Sequence, residues 1–148
     1  MKIVLVKDYE LLWKISRMVD TGKIESVNYT ADEFFRYLID RQDANKIQVI
    51  VALEGKEILG FGVYSIHHNI ISGKDTAFID VVYIDPTAPK DCGPQMLERV
   101  EEFARQHKLD EIGCYSKKRE RGMWAKYGFV IDYTVYKKKL GGNDGIIQ

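Results

Sequence analysis

The segment from Phe78 to Ala104, FIDVVYIDPTAPKDCGPQMLERVEEFA, constrains the fold of this chain more than any other part. An apolar strand runs through Asp85-Pro86 into a tight loop of proline and glycine, and then directly into an amphipathic helix. That order places the N–H groups of a helix start beside the end of a strand, where the phosphates of a nucleotide-type ligand can bind. The segment therefore predicts an α/β fold with a groove at the strand-to-helix junction.

The length and charge of the chain exclude several classes of protein. A chain of 148 residues is expected to form one domain, here 1–140, with a loosely held tail over 141–148. Lysine plus arginine and aspartate plus glutamate both total 22, so no global field favours nucleic acid or an anionic membrane. The apolar run at the start is too short for a signal peptide or a membrane span. Cys92 and Cys114 are too few for a disulfide framework or a zinc site, so we expect a cytoplasmic protein without a metal.

The hydrophobic pattern predicts the order β-α-α-β-β-β-α-β-α-β. The second helix has the clearest start, because Thr30 and Glu33 form a capping box and Tyr29 and Phe34 occupy hydrophobic-staple positions. Gly128 is expected to end the last helix. A hairpin followed by strand-helix-strand predicts a mixed sheet with helices on both faces. The predicted strands are 2–6, 47–53, 57–66, 77–84, 111–115 and 129–139, and the later helices are about 94–107 and 120–127.

This order resembles the GNAT family of N-acetyltransferases. The most specific pieces are Val82-Tyr83-Ile84-Asp85-Pro86, the helix through Val100-Glu101-Glu102-Phe103-Ala104, and Lys126-Tyr127-Gly128-Phe129. The resemblance covers nearly the whole chain and implies a GNAT-like α/β fold, an α+β mixed sheet. It implies an acyl-CoA N-acyltransferase that moves an acetyl or related acyl group from acetyl-CoA, the co-substrate, to a small-molecule or protein amine. A homo-oligomer or larger assembly remains open.

The resemblance also implies which residues hold the cofactor. In the family, a strand splays at a bulge and its backbone pairs with the pantetheine arm, a role that falls here on Tyr83 and Ile84. The loop that follows usually reads Q/R-x-x-G-x-G/A and holds the pyrophosphate with backbone N–H groups. The matching stretch in this chain is 88–93, which assigns Lys90, Cys92 and Gly93 to cofactor binding.

That loop departs from the family pattern in ways that predict weaker cofactor binding. Gly93 is the one family glycine that remains, and Pro89 and Pro94 have no N–H to offer. Asp91 brings a carboxylate toward the diphosphate, at a cost of about 3 kcal/mol for charges about 5 Å apart at an effective dielectric of about 20. Lys90 offsets part of this repulsion. The alternative reading, which we favour, is that Asp91 caps the helix with Pro94 in its first turn.

Asp80 is the best candidate for a general base, because it interrupts an apolar strand just before the presumed bulge. The alternative is a polar residue held by a structural hydrogen bond. For the general acid, the family pattern places Trp124 where a tyrosine is usual and Lys117 where an asparagine is usual, and an indole N–H is not usefully acidic. Tyr115 is assigned as the substitute acid, with Tyr127 as a second choice. A buried core position is the alternative for each tyrosine.

Three other features remain open at this point. The basic run over 116–121, with Lys137–Lys139, fits a cofactor phosphate, a nucleic-acid backbone or a solvated surface. His67 and His68 are expected on an exposed turn. Gly60 and Gly62 lie on one face of a strand and permit close approach by a ligand or another backbone.

Two functions follow from these residues. The first is acyl transfer to an amine, in which Asp80 deprotonates the acceptor and the strand holds the pantetheine. The second is a GNAT fold that has lost its chemistry and serves as a structural or assembly subunit, for example of a virus particle or another complex. The changes at Asp91, Pro94, Lys117 and Trp124 favour the second, and the family resemblance favours the first.

Overall fold

The computed structural model describes residues 1–22, 24, 27–115, 121–130, 136 and 138–140, with the side chains at 121–123 outside the description. Two compact units are present, Met1–Tyr115 and Ser116–Gln148. The prediction of a single domain over 1–140 stays a prediction, and the tail at 141–148 lies outside the described residues. The first unit contains the sheet and is described first.

The first unit contains a five-stranded mixed sheet whose strands lie side by side in chain order: β1 Lys2–Leu5, β2 Ile47–Glu54, β3 Glu57–His68, β4 Asp75–Ile84 and β5 Ile112–Cys114. The pairs β1–β2, β2–β3 and β3–β4 are antiparallel, and β5 is parallel to β4. A parallel last strand needs a crossover connection, which the helix between β4 and β5 supplies.

The helices of this unit are α1 Tyr9–Arg17, α2 Ala31–Asp43 and α3 Cys92–Gln106, with a short 3₁₀ helix at Met18–Thr21, and both α1 and α2 begin at a side-chain cap. The Asp8 carboxylate accepts a hydrogen bond from the Leu11 amide at the start of α1. At the start of α2, both hydrogen bonds of the Thr30–Glu33 capping box are present. Tyr29 stacks on Phe34 with ring centroids 6.3 Å apart, which confirms the predicted staple.

The two faces of the sheet bury different helices. Alternate side chains of the central strands point to opposite faces, so each face gains its own apolar set. α1 and α2 cover one face, and their fully buried side chains pack on those of β2 and β3: Leu12, Ile15, Phe34, Leu38, Val49, Val51, Phe61 and Val63. α3 covers the other face, where the Phe103 and Tyr64 rings meet edge to face at 4.9 Å. The predicted placement of helices on both faces is confirmed.

Gly60 and Gly62 lie on the face that α3 covers. A Cβ atom at Gly60 would stand 2.6 Å from the carbonyl oxygen of Tyr83, closer than real Cβ atoms approach any atom. A Cβ atom at Gly62 would meet Ile50 and Met96 at ordinary contact distances of 3.4–3.5 Å. Gly60 therefore permits close approach of the β4 backbone, one of the two partners that the sequence left open.

The second unit contains the short helix α4, Arg121–Lys126. Gly128 follows it with φ of 89°, a conformation that favours glycine, so the predicted helix end is confirmed. The predicted last strand over 129–139 and the basic run over 116–121 lie largely outside the described residues, as does Lys117. Across the described ranges, no helix is both long and apolar enough to cross a membrane.

Candidate active site

The outer edge of β4 opens away from β5 halfway along the strand. The two strands pair over three positions only, with Ala77, Phe78 and Ile79 opposite Ile112, Gly113 and Cys114. Beyond Ile79, the described pairing of β4 is with β3 alone. The edge over 80–84 therefore presents backbone N–H and C=O groups to the gap between the two strands. Such an edge can pair with an extended amide-bearing chain.

A β-bulge at Asp80 marks the point where the strands separate. Val63 lies opposite Val81, whereas the next residue of β3, Tyr64, lies opposite Ile79. Asp80 is thus the extra residue on β4, and a bulge of this kind bends the strand and re-aims a side chain. The splayed strand and the bulge that the family resemblance implied are both present, but the bulge lies at Asp80 itself and not after it as predicted.

Asp80 is held by two side chains of β3. The Ser65 hydroxyl donates a hydrogen bond of 2.7 Å to Oδ2, and the His67 Nε2 atom lies 3.3 Å from Oδ1. The Asp80 side chain is 21% exposed. This carboxylate is accessible yet fixed in orientation, which a general base requires. The structural hydrogen bond offered as the alternative is therefore also present, and the two roles are compatible.

His67 and Phe78 connect this carboxylate to Tyr115. The His67 ring stacks on the Phe78 ring with centroids 4.3 Å apart. The Tyr115 ring packs edge to face with Phe78, with centroids 4.9 Å apart. Tyr115 is 73% exposed. The buried core position considered for Tyr115 is wrong, because the residue follows the end of β5 and most of its side chain is exposed.

The prediction that His67 and His68 lie on a turn is wrong. Both are the last residues of β3, and His68 pairs with Asp75 across the strands, with Nδ1 2.7 Å from Oδ1. The strand is longer than predicted because these cross-strand partners extend the ladder. Its position on β3, opposite β4, brings His67 into the candidate site.

Tyr83 and Ile84 lie on the open part of the β4 edge, where the resemblance assigns their backbone groups to the cofactor. The Tyr83 ring packs on Phe61 at 6.2 Å, and its hydroxyl donates to Asp85 at 3.1 Å. Burial, with a smaller contribution from this hydrogen bond, raises the pKa of Tyr83. Ile84 ends the strand half exposed, and the Asp85 amide donates to the Leu59 carbonyl at 2.7 Å.

The start of α3 offers few groups to a phosphate. The Cys92 amide donates to Pro89 at 3.0 Å, the Gln95 amide donates to Asp91 at 2.9 Å, and Pro94 has no N–H. Gly93 carries the one remaining amide of this turn. The residues present thus fit the pantetheine arm of acetyl-CoA well, through the β4 edge, and fit its diphosphate poorly.

Asp91 occupies the N-cap position, as favoured, but the predicted capping bond is wrong. Its carboxylate accepts a hydrogen bond of 2.6 Å from the side chain of Gln95 and none from a backbone amide. Cys92 is fully buried with its sulfur 3.8 Å from that of Met96. Burial, and secondarily the charge of Asp91, raises the pKa of this thiol. Of the side chains assigned to the loop, exposed Lys90 is the one that a ligand can reach.

A cleft of about 510 Å³ lies at the Asp80 end of the sheet. Tyr37 on α2 stands at its wall, and burial raises the pKa of this tyrosine, with a further increase from the charge of Asp80 and a decrease from Arg41. Tyr64 on β3 packs against Phe103, one of the lining residues, and burial raises the pKa of Tyr64 to about 12. The residues that line the cleft are Tyr37, Arg41, Asn45, Lys46, Ile47, Gln48, Ser65, Ile66, His67, Asp80, Phe103 and His107.

Sequence reasoning found Asp80 and missed Ser65 and His67. An acidic residue inside an apolar strand is visible in the sequence, whereas the two partners depend on the register between strands that the bulge shifts. Trp124 lies on α4 in the second unit, and Tyr127 follows that helix. Within the described residues, no group of three or more histidine, cysteine or acidic side chains could hold a metal ion.

Comparison with solved structures identifies the same fold in known proteins. A predicted acetyltransferase with acetyl-CoA from Clostridium acetobutylicum superposes with a TM-score of 0.73 at 19% identity, over 93% of this chain and 95% of that chain. The aminoglycoside antibiotic 6'-N-acetyltransferase of Acinetobacter haemolyticus gives a TM-score of 0.76 at 14% identity, over 96% and 100% of the two chains. Ribosomal-protein-alanine N-acetyltransferase from Brucella melitensis gives 0.74 at 10% identity, over 95% and 100%.

No curated protein matches the chain, whereas one family model does. The model of the acetyltransferase (GNAT) family matches residues 9–129, which include the bulged strand, the helix α3 and the Gly128 turn. Its extent and the fold agree with the resemblance carried by the strand-loop-helix segment. The chain belongs to the acetyltransferase (GNAT) family.

Proposed function

We propose that this protein transfers an acetyl or related acyl group from acetyl-CoA to an amine. The observation that carries the proposal is the position of Asp80. It lies on the bulge at which β4 separates from β5, so that an acceptor at this carboxylate meets the end of a chain bound along the β4 edge. Holding two reactants at one point supplies much of the rate in a transfer of this kind.

Asp80 acts as the general base in this proposal. An amine attacks a thioester only when it is neutral, so a proton must leave the bound ammonium. Asp80 accepts that proton, while the Ser65 hydroxyl fixes the orientation of its carboxylate. His67 contacts the second carboxylate oxygen and is itself 45% exposed, so it provides a route by which the proton reaches solvent.

Tyr115 is the proposed donor of the proton that the departing CoA thiolate takes up. When the new C–N bond has formed and the C–S bond breaks, the thiolate needs a nearby hydroxyl. Tyr115 is exposed and packs on Phe78, which in turn packs on His67, the partner of Asp80. Trp124, at the position where the family pattern has a tyrosine, has only an indole N–H and cannot fill this role.

Calorimetric titration with acetyl-CoA, followed by an assay of CoA release with a panel of amines, tests the proposal. We expect saturable binding, and a ligand at about 100 times its Kd stabilises the fold by about 2.7 kcal/mol. CoA release should depend on an added amine. Absence of binding at millimolar ligand, or binding with no amine-dependent release, contradicts acyl transfer.

The second candidate, a non-catalytic structural or assembly subunit, is favoured by the loop before α3. Two prolines remove amides from the place where the family holds the diphosphate, and Asp91 adds a negative charge there. This candidate predicts a folded protein whose melting temperature does not change with acetyl-CoA. The same titration therefore distinguishes the two functions.

A further inference from the structure

The cleft beside Asp80 contains more positive than negative groups. Among its lining residues, Asp80 is the one carboxylate, whereas Arg41 and Lys46 carry permanent positive charges at neutral pH. His67 and His107 add two imidazoles, of which His107 has its Nδ1 atom 3.0 Å from the Phe103 carbonyl oxygen. An acceptor that offered nothing but a cation would satisfy Asp80 and face repulsion from the rest of the wall.

Arg41 and Lys46 are held at the cleft by local structure. The Arg41 guanidinium lies over the Tyr37 ring, with Cζ 5.5 Å from the ring centroid. The Lys46 amide donates to the Arg41 carbonyl at 2.9 Å, in the turn where Asn45 adopts φ of 56°. Stacking orients a guanidinium and lowers the entropy lost when it binds a partner.

Neither cation has an acidic partner among the residues that the structure describes. The ion pairs of that part of the chain involve other basic groups, such as Arg17 with Asp32 and Arg105 with Glu101. Unpaired arginine and lysine side chains at one wall of a cleft can bind a carboxylate, and arginine does so with two parallel hydrogen bonds. The charge of Asp80 raises the pKa of Tyr37 and the charge of Arg41 lowers it, which indicates that the two opposite charges face the same space.

We infer that the acceptor is a small molecule with an amine at one end, which meets Asp80, and a carboxylate at the other end, which meets Arg41 and Lys46. The volume of about 510 Å³ suits a small molecule. That this ligand is the acyl acceptor rests on the proposed function, whereas the binding preference for an amino carboxylate rests on the charges of the cleft alone.

Matched pairs of ligands test this inference without any need for turnover. β-Alanine, γ-aminobutyrate and δ-aminovalerate are titrated by calorimetry beside the ω-amino amides of the same length. The two members of a pair differ by the carboxylate charge and keep the amine. At the best chain length we expect the carboxylate to bind about tenfold more tightly than the amide, which corresponds to about 1.4 kcal/mol.

Variants assign the preference to the proposed residues. Arg41→Gln and Lys46→Gln should each reduce the difference between acid and amide by weakening binding of the acid, and neither should weaken binding of the amide. Arg36→Gln is the matched control, because Arg36 is exposed on the same helix and does not line the cleft. Melting temperatures of the three variants establish that each is folded.

The outcomes separate this inference from the proposed function. Selective binding of the amino carboxylate without acetylation would overturn acyl transfer and support the binding site. Acetylation of acids and amides at equal efficiency would support acyl transfer and overturn the inference. Equal binding within a pair, no binding of any ligand at about 10 mM, or a preference that survives both Arg41→Gln and Lys46→Gln would also overturn it.

Discussion

At the scale of single residues, the chemistry of the proposed site depends on the orientation of one carboxylate. Ser65 and His67 occupy both oxygens of Asp80 from the neighbouring strand, so the side chain cannot turn away from the cleft. Asp80 is the extra residue of the bulge and lines the cleft, and a bulge of this kind re-aims a side chain.

Asp80→Asn is expected to lower kcat/KM for amine acetylation by about 100-fold or more, since general-base catalysis contributes about 100- to 10,000-fold. The amide keeps the size of the side chain and can still accept the Ser65 hydrogen bond, so the melting temperature and the acetyl-CoA affinity should change little. Steady-state kinetics with acetyl-CoA at saturation measure the effect.

Asp75→Asn is the matched control for this substitution. Asp75 lies on the same strand and also contacts a histidine, His68, but at the far end of the ladder. We expect full activity from it. Activity of Asp80→Asn within about threefold of the unmodified protein would remove Asp80 from the proton-transfer step.

Of Asp80, Ser65 and His67, only Asp80 could be predicted from the sequence as a site residue, for a physical reason. Asp80 stands out because a charge interrupts an apolar strand. Ser65 and His67 are 15 and 13 positions away in the chain and reach Asp80 only through strand pairing. Their register includes an extra residue, and no local pattern in the sequence marks where that residue falls.

At the scale of elements, the start of α2 was predicted more closely than the end of β3. A capping residue acts within its own turn, so Thr30 and Glu33 identify the start of α2 from the sequence alone. A strand continues as long as its neighbour does, and β3 extends to His68 because Asp75 continues β4 opposite it. That information lies in the partner strand and cannot be read locally.

Gly60→Ala tests the contact between β3 and β4 that supports the candidate cofactor edge. A Cβ atom 2.6 Å from the Tyr83 carbonyl oxygen must push backbone apart, so we expect a loss of about 1–3 kcal/mol in the free energy of unfolding. Urea denaturation followed by circular dichroism measures it. Gly62→Ala, with ordinary contacts at 3.4–3.5 Å, is the control and should lose less. Equal losses would show that the close approach at Gly60 is not what requires glycine.

Asp91→Asn tests the charge argument at the start of α3. The substitution removes a negative charge beside the place assigned to the diphosphate and preserves an acceptor for the Gln95 side chain. We expect acetyl-CoA to bind several-fold more tightly, in line with removal of a repulsion of up to about 3 kcal/mol before screening by solvent and salt.

The control for Asp91→Asn is Glu98→Gln, which changes the net charge by the same amount on the exposed face of the same helix. Its affinity for acetyl-CoA should equal that of the unmodified protein. Calorimetry at low and high salt separates the two, because the gain from Asp91→Asn should shrink as salt rises. Weaker binding by Asp91→Asn would mean that the carboxylate assists the cofactor.

At the scale of the whole molecule, the extent of the domain is still to be tested. The sequence predicts one domain over 1–140, and the family model spans 9–129, whereas the structure contains two compact units that meet in the chain between Tyr115 and Ser116. The family motif Lys126-Tyr127-Gly128-Phe129 and the strand that carries Asp80 belong to different units.

The two tryptophans make this prediction testable, since Trp13 lies in the first unit and Trp124 in the second. Trp13→Phe and Trp124→Phe each leave one fluorescent reporter, and unfolding in urea can then be followed unit by unit. A single domain unfolds in one cooperative transition, so we expect the two midpoints to agree within about 0.3 M urea. Circular dichroism on both variants is the control, because it reports the whole chain and corrects for any loss of stability caused by the substitution itself. A separate early transition at Trp124 would contradict the prediction, and it would mean that the residues after Ser116 can unfold without loss of the sheet that holds Asp80.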